Sequence, residues 1–231
     1  MPAKASAPKP LANRAAAQMD PEDFATQFDV SRETLTRLLA YQALLGRWQQ
    51  RINLVGPATL DDFWARHAAD SAQLLALAGH RRVWLDLGSG GGFPGLVVAI
   101  MLAGSEGHVH LVESDGRKAA FLRTVIREVG AAASVHNQRA EALAEMQAPF
   151  LADVQVISAR ALAPLPELLE LIAPFFNSST IALLHKGAGW QDELTRAEQC
   201  WMIDVEAHPS QTHDAARILH LRHLVRRGEA L

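Results

Sequence analysis

The sequence predicts an α/β fold: a seven-stranded, mostly parallel sheet that closes in an antiparallel hairpin and follows a helical extension. Three observations carry this expectation. Residues 83–96 run from a short apolar strand through an acid and a glycine cluster into an apolar helix that begins at Pro94. A second apolar run, Val109-His-Leu-Val-Glu113, ends in another acid twenty-five residues after Gly88, which is the βαβ spacing of a crevice above parallel strand ends. Beyond it, strand-like and helix-like segments alternate until two strands follow one another with only polar residues and Pro209 between them. A hairpin is the connection that so short a gap permits.

Residues 1–20, rich in Ala, Pro and Lys with no acid before Asp20, are expected as a disordered tail. They lack the apolar segment of a secretory signal. The helical extension is placed at 21–80. Between Ser31 and Ile52, apolar residues at Leu35, Leu38, Leu39, Leu45, Trp48 and Ile52 have helical spacing, with Ser31 as N-cap. Asn53-Leu-Val-Gly56-Pro57 breaks that helix. Thr59 then opens a second one to about Ala78, with Asp62 placed for a capping box. In the sheet domain, 81–231, strands are expected at 83–87, 109–113, 133–137, 154–158, 180–185, 200–206 and 217–226. Helices are expected at 94–103, 116–129, 139–146, 164–175 and 190–197. No repeat or linker divides the chain.

The chain has 231 residues, about half of them apolar, which suits one domain with an extension. No run of 18 apolar residues occurs, so no membrane span is expected. The single cysteine, Cys200, excludes an internal disulfide and a Cys-based zinc site and suits a reducing cytosol. It is read as a core residue of a late strand. No metal site is read from the sequence. A net charge of −3 argues against a general nucleic-acid-coating protein, and a local basic face remains open.

Five glycines in eight residues, Gly88, Gly90, Gly91, Gly92 and Gly95, let a backbone turn sharply and approach a ligand closely. Two registers are readable. Gly90-x-Gly92-x-x-Gly95 satisfies the dinucleotide pattern of an NAD-dependent oxidoreductase. Asp86-x-Gly88-x-Gly90 is the arrangement of S-adenosylmethionine (SAM) enzymes, in which the acid and the loop hold the amino-acid end of the cofactor and Glu113 takes the ribose hydroxyls. The closing hairpin favours SAM, because a nicotinamide-binding sheet normally ends in a parallel strand.

Several other residues carry chemistry. His67, Asp70 and Ser71 share one helix face and either orient a substrate or latch the extension onto the glycine loop. Asn137-Gln-Arg139-Ala140-Glu141 follows the third strand, where a nucleoside-binding sheet contacts adenine. Ser158-Ala-Arg160-Ala161 follows the fourth, at the usual place of a catalytic loop, and Lys186-Gly187 ends the fifth. The chain lacks the Pro-Pro-aromatic motif of enzymes that methylate exocyclic amines, and Cys200 is badly placed for attack on a pyrimidine carbon. Arg117, Lys118, Arg123 and Arg127 lie on the helix after the second strand, either as a solvated face or as a patch for an RNA backbone.

Taken together, Asn53-Leu-Val, Arg66-His67-x-x-Asp70-Ser71, Asp86-Leu-Gly88-Ser-Gly90-Gly-Gly92-Phe-Pro94-Gly95, Glu113-Ser-x-x-Arg117-Lys118, Arg139-Ala140-Glu141, Ser158-x-Arg160-Ala161 and Lys186-Gly187 resemble the glucose-inhibited division protein B family. These are bacterial 16S ribosomal RNA (guanine-N7) methyltransferases, and the resemblance covers roughly residues 30–225. It implies the SAM-dependent class I methyltransferase fold, Rossmann-like, and methylation of guanine 527 in small-subunit rRNA. The cofactor contacts so implied, with those of the glycine register, fall at Gly88, Gly90, Phe93, Glu113, Ala140, Glu141 and Arg160. Arg139, Lys186, His67 and Asp70 become candidates for positioning the RNA, with no residue assigned as acid or base. Guanine N7 carries an in-plane lone pair, so the missing motifs are expected. The partner so implied is 16S rRNA or the small subunit, and the protein is expected as a cytoplasmic monomer without membrane attachment. The competing readings are the oxidoreductase and a non-catalytic RNA-binding module on a methyltransferase fold.

Overall fold

The computed structural model describes residues 19–56 and 59–228, so the expected tail lies outside the described residues up to residue 18. Among the described residues the first helix starts at a capping acid. The Asp20 carboxylate accepts the Asp23 amide at 2.8 Å, and the Asp23 side chain returns the bond. This capping box starts α1 (Pro21–Phe28), a helix that apolar spacing had not marked, with Pro21 in its first turn. Ser31 caps α2 (Arg32–Gln49) through the Thr34 amide, as expected. Leu38, Tyr41, Leu44 and Leu45 form its buried stripe, whereas Leu39 is 42% exposed.

The next helix departs from expectation. The Thr59 hydroxyl donates to the Gly56 carbonyl at 2.8 Å and lies 3.0 Å from His67 Nε2, so it does not cap the Asp62 amide. The chain instead enters a π-helical segment (Phe63–Ala69) that continues into α3 (Asp70–Ala72) and α4 (Leu74–Ala78). Such wide turns concentrate at functional sites.

Seven strands form one sheet: β1 (Val83–Leu87), β2 (His108–Val112), β3 (Ala133–His136), β4 (Val156–Arg160), β5 (Ile181–Lys186), β6 (Trp201–Pro209) and β7 (Arg217–Arg226). Their order is β3-β2-β1-β4-β5-β7-β6. The first five are parallel, and β7 enters antiparallel between β5 and β6. A nicotinamide-type sheet would have a parallel sixth strand beside β5, so the topology removes the support for the oxidoreductase register. Between the strands lie α5 (Gly95–Met101), α6 (Gly116–Val129), α7 (Ala140–Glu145), α8 (Leu165–Ile172) and α9 (Trp190–Ala197).

The sheet is covered on both faces. One hydrophobic cluster joins Phe24, Leu38, Tyr41, Phe63 and Leu74 of the extension to Val97 of α5, Phe121 of α6 and the sheet residues Trp84, Leu111 and Leu183. The other packs α7, α8 and α9 against Leu85, Ile157, Leu184 and Leu219. Cys200 is a correction: it is exposed and lies in the turn before β6. Its amide still closes the last turn of α9 on the Ala197 carbonyl, at 3.1 Å, so the strand begins one residue later and Trp201 takes the inward position. Among the described residues, no helix is long and apolar enough to cross a membrane.

Candidate functional site

The glycine loop leaves β1 and is held from three sides. The Gly88 and Ser89 amides bond the Val112 carbonyl at the end of β2, at 2.9 and 3.0 Å. The Gly90 amide donates to Glu113 Oε2 at 2.8 Å. From the extension, the buried Tyr41 hydroxyl donates to the Gly91 carbonyl, and burial raises that phenol well above its ordinary pKa. Gly92, at φ +97°, has no room for a side chain: a Cβ there would stand 2.5 Å from Leu96 Cδ1 and 2.6 Å from the Tyr41 hydroxyl.

Beside this loop lies a cavity of about 940 Å³, lined by Gly88 to Gly91 and Phe93, by Leu54 and Val55, by Arg66, His67 and Asp70, by Lys118, by Arg160 to Pro164, by His185 to Gly187, and by Thr212 and His213. That volume is at the upper end of the range for small-molecule sites. Leu54 and Val55 reach it because Gln49 takes both their amides on its Oε1, at 2.9 and 3.1 Å.

A charged cluster forms one wall. Arg160, the last residue of β4, donates to Asp70 Oδ2 (3.2 Å), the Arg66 carbonyl (3.0 Å) and His67 Nδ1 (3.0 Å). Its guanidinium also lies 5.0 Å over the Phe93 ring, and His67 stacks on the same ring at 4.6 Å. Asp70 additionally accepts from Thr212 on the β6–β7 turn at 2.8 Å and from Gln73 at 2.9 Å. Burial would raise the Asp70 carboxyl, but His185, Arg160 and the Thr212 hydroxyl together outweigh it and hold it below its usual range. His67 is pushed down to about 4 by burial and by Arg160, so its imidazole is neutral at pH 7. With Nδ1 accepting from Arg160, Nε2 carries the proton and faces Thr59. Burial likewise lowers His185, whose Nε2 donates to the Asp70 carbonyl at 2.9 Å.

Opposite, Lys186 is 8% exposed. Its ammonium pairs with Glu193 at 2.5 Å and donates to the Ala163 carbonyl at 3.0 Å. Glu193 also accepts the Leu165 amide at 2.6 Å. The pair therefore anchors the loop after β4, in which Ala161 holds a left-handed φ of +53°.

The cavity thus brings together Gly88, Gly90, Phe93, Arg160, His67, Asp70 and Lys186. It does not include Glu113, Arg139, Ala140 or Glu141. Arg139 and Glu141 are exposed around the start of α7, with Arg139 at its N-cap. Glu113 is buried, and its two oxygens hold the Gly90 and Asp115 amides. Asp86, expected with the loop to hold the amino-acid end of the cofactor, does not line the cavity. It is fully buried beneath the loop, its Oδ1 accepts from Ser158 at 2.7 Å, and burial raises it to about 6. Of the basic residues on α6, only Lys118 lines the cavity, while Arg117, Arg123 and Arg127 are exposed.

These residues fit SAM. A Cβ at Gly91 would stand 3.0 Å from the Leu54 carbonyl, so the bare backbone is what brings the two walls close. Leu54, Val55 and Leu162 supply apolar surface, and Lys118 and Arg160 supply cationic donors for a carboxylate. Tyr41, Thr212, His185 and Glu193 were not singled out from sequence. Tyr41 and Thr212 lie far away in the chain, but His185 and Glu193 flank the strand end that Lys186 had already marked.

The family profile described as rRNA small subunit methyltransferase G (GidB) matches residues 34–223. A Ribosomal RNA small subunit methyltransferase G from Parvibaculum lavamentivorans is 51% identical over 89% of this chain and 90% of its own. The protein of that name from Rhodospirillum centenum is 53% identical, over 89% and 92%. Among solved structures, cofactor-bound Rv0187 from MTB superposes with a TM-score of 0.55 at 15% identity, covering 89% of this chain and 99% of its own. A variant of MtNAS in complex with S-adenosylmethionine gives 0.51 at 16% identity, over 88% and 84%. At those identities the likeness concerns the fold.

Proposed function

Because the chain belongs to the rRNA small subunit methyltransferase G family, we propose that its cavity is where a guanine of 16S rRNA meets SAM. The enzyme is a SAM-dependent rRNA methyltransferase, and the atom modified in this reading is N7 of guanine 527. One observation carries the choice of N7: the carboxylates of the cavity wall and His67 are already engaged, the His185 Nδ1 is buried away from the cavity's surface, and His213 is the wall imidazole that remains. Asp70 and Glu193 are paired with Arg160 and Lys186, and both His67 nitrogens face partners. No cysteine lines the cavity. A nucleophile with its own in-plane lone pair needs none of these groups as a base.

The cofactor, when bound, supplies an electrophilic methyl group on a sulfonium. In this reading the Gly88–Gly91 backbone seats it, Arg160 or Lys118 takes its carboxylate, and Leu54, Val55 and Leu162 exclude water. The remaining lone pairs of Glu113 serve the ribose, with Ala140 and Glu141 beyond it toward the adenine. Catalysis then rests on alignment of the guanine with the methyl group. The target base must leave its stack to enter a cavity of this depth, as a loop nucleotide does at small cost. Arg139, after β3, and Arg117, Arg123 and Arg127 of α6 are exposed and would follow the RNA backbone of the small subunit. The protein acts in this reading as a cytoplasmic monomer.

The test is rRNA from a strain lacking the gene, digested and analysed by mass spectrometry. Loss of N7-methylguanosine at one site, restored by wild type, is expected. Unchanged content would refute the assignment. A non-catalytic RNA-binding module would give the same unchanged content while still retaining RNA affinity.

A further inference from the structure

The β6–β7 ribbon carries a side-chain cluster that methyl transfer does not use. Its register places Glu206 directly opposite His220, and His208 opposite Ile218. Residues two apart on a strand share a face, so Glu206, His208 and His220 converge on one side of the ribbon. One oxygen or nitrogen from each lies within 4.8 Å of the other two. His208 Nε2 stands 3.6 Å from Glu206 Oε1. That is too long for a hydrogen bond, but close to the separation of about 3.3 Å that tetrahedral bonds of about 2.0–2.1 Å to zinc impose.

His220 is 7% exposed. Its Nε2 and that of His208 are both buried without a hydrogen-bond partner among the described residues. Two orphaned buried nitrogens on one face require an explanation. The second oxygen of Glu206 is held by Arg222 at 2.7 Å, the kind of outer contact that orients a metal-binding carboxylate.

We propose that Glu206, His208 and His220 form a binding site for a borderline divalent transition-metal ion, zinc foremost, with water completing the coordination. Two imidazoles and one carboxylate suit such an ion, whereas magnesium and calcium take all-oxygen sets. The site is a staple. It ties β6 to β7 next to the turn whose Thr212 bonds Asp70 in the cavity wall, and no reaction step passes through it. A second imidazole group, His108, His110 and His136, has its facing nitrogens already bonded, His110 to His136 at 3.0 Å and His108 to Ser134 at 2.9 Å. It therefore serves as the control.

The experiment is calorimetric titration of metal-stripped full-length protein with zinc chloride, followed by cobalt(II) absorption spectroscopy. One site per chain with a micromolar or tighter Kd is expected, together with visible cobalt bands of a four-coordinate site and a zinc-dependent rise in Tm that magnesium does not reproduce. Glu206→Gln and His208→Gln lie on the accessible side of the ribbon and should each weaken zinc at least about tenfold. His110→Gln should leave it unchanged. The proposal is overturned if no saturable binding occurs up to about 100 µM zinc, roughly a hundred times a micromolar Kd. It is equally overturned if both hairpin variants bind as wild type does, or if the folded His110→Gln protein loses the site.

Discussion

Alanine at Gly92 tests how tightly the extension clamps the cofactor loop. Gly90 and Gly92 both have positive φ, +53° and +97°, and an alanine in that region costs about 1–2 kcal/mol. Alanine also stiffens the unfolded chain, which offsets about 0.4–1 kcal/mol of this at either site. The two positions differ in space. A Cβ at Gly90 meets nothing nearer than the Gly88 carbonyl at 3.7 Å, whereas at Gly92 it runs into Leu96 and the Tyr41 hydroxyl. Leu96 and Tyr41 are both fully buried, and Tyr41 is bonded to Gly91, so overpacking should add about 1–3 kcal/mol. Gly90→Ala is therefore expected to lose about 1 kcal/mol and Gly92→Ala about 2–4 kcal/mol. In a chain of this size each kcal/mol corresponds to roughly 2–4 °C in Tm. Urea unfolding and calorimetric SAM titration are the assays, with Gly92→Ala losing SAM affinity beyond any loss in Gly90→Ala. Tyr41→Phe removes one colliding atom, so Gly92→Ala should be less damaging in that background, a coupling of at least about 0.5 kcal/mol. Equal losses for the two glycine variants, or strict additivity with Tyr41→Phe, would refute the clamp.

Three further outcomes follow from the same geometry. Tyr41→Phe alone should cost about 1–3 kcal/mol in urea unfolding, because it strands the Gly91 carbonyl away from solvent; a loss within error of zero would show that water reaches that carbonyl. Asp86 has a folded value of about 6, above its unfolded value of about 4, so its ionised form opposes folding. That penalty, about 3 kcal/mol above pH 6, disappears as pH falls below 4. Comparing urea midpoints at pH 4.5 and 7.5, Asp86→Asn should be less favoured by acid than wild type, and an identical pH response in both would exclude the assignment. Finally, single-turnover methyl transfer should be flat between pH 6.5 and 8, since the lowered His67, Asp70 and His185 change protonation below that window; a step with an apparent pKa near 7 would show that a base takes part.

The strands were legible because burial on both faces of a parallel sheet leaves continuous apolar runs, and the hairpin because nothing helical fits between β6 and β7. What escaped notice depends on groups distant in the chain. The π-helical segment at Phe63–Ala69 arises when the Thr59 hydroxyl turns to the Gly56 carbonyl rather than to the Asp62 amide, a competition that local spacing does not encode. Asp86 was read, with the loop, as holding the amino-acid end of the cofactor because it stands before the glycines; the bond from the Ser158 hydroxyl on β4 to its Oδ1 depends on a residue seventy-two positions on. His67 and Asp70 were correctly placed on one face. Their partner Arg160 lies ninety residues on, and only the pairing of β1 with β4 brings it across.

That last cluster explains why an enzyme can surround a cationic cofactor with so many cations. Arg160 and Lys186 border the cavity, yet each faces a carboxylate at 3.2 Å or less, so neither presents a full unpaired charge to the guanine of the proposed reaction. Positive charge moves from sulfonium to purine during the transfer, and an uncompensated cation against the base would oppose it. Pairing removes that opposition and gives each cation a structural task. Arg160 fastens the π-helical segment and Phe93 to β4, and Lys186 fastens the loop after β4 to α9. In a low-dielectric wall such pairs are costly to break from one side, which keeps the two halves of the cavity at fixed separation. For a reaction that depends on alignment rather than on proton transfer, fixed separation is the property that matters.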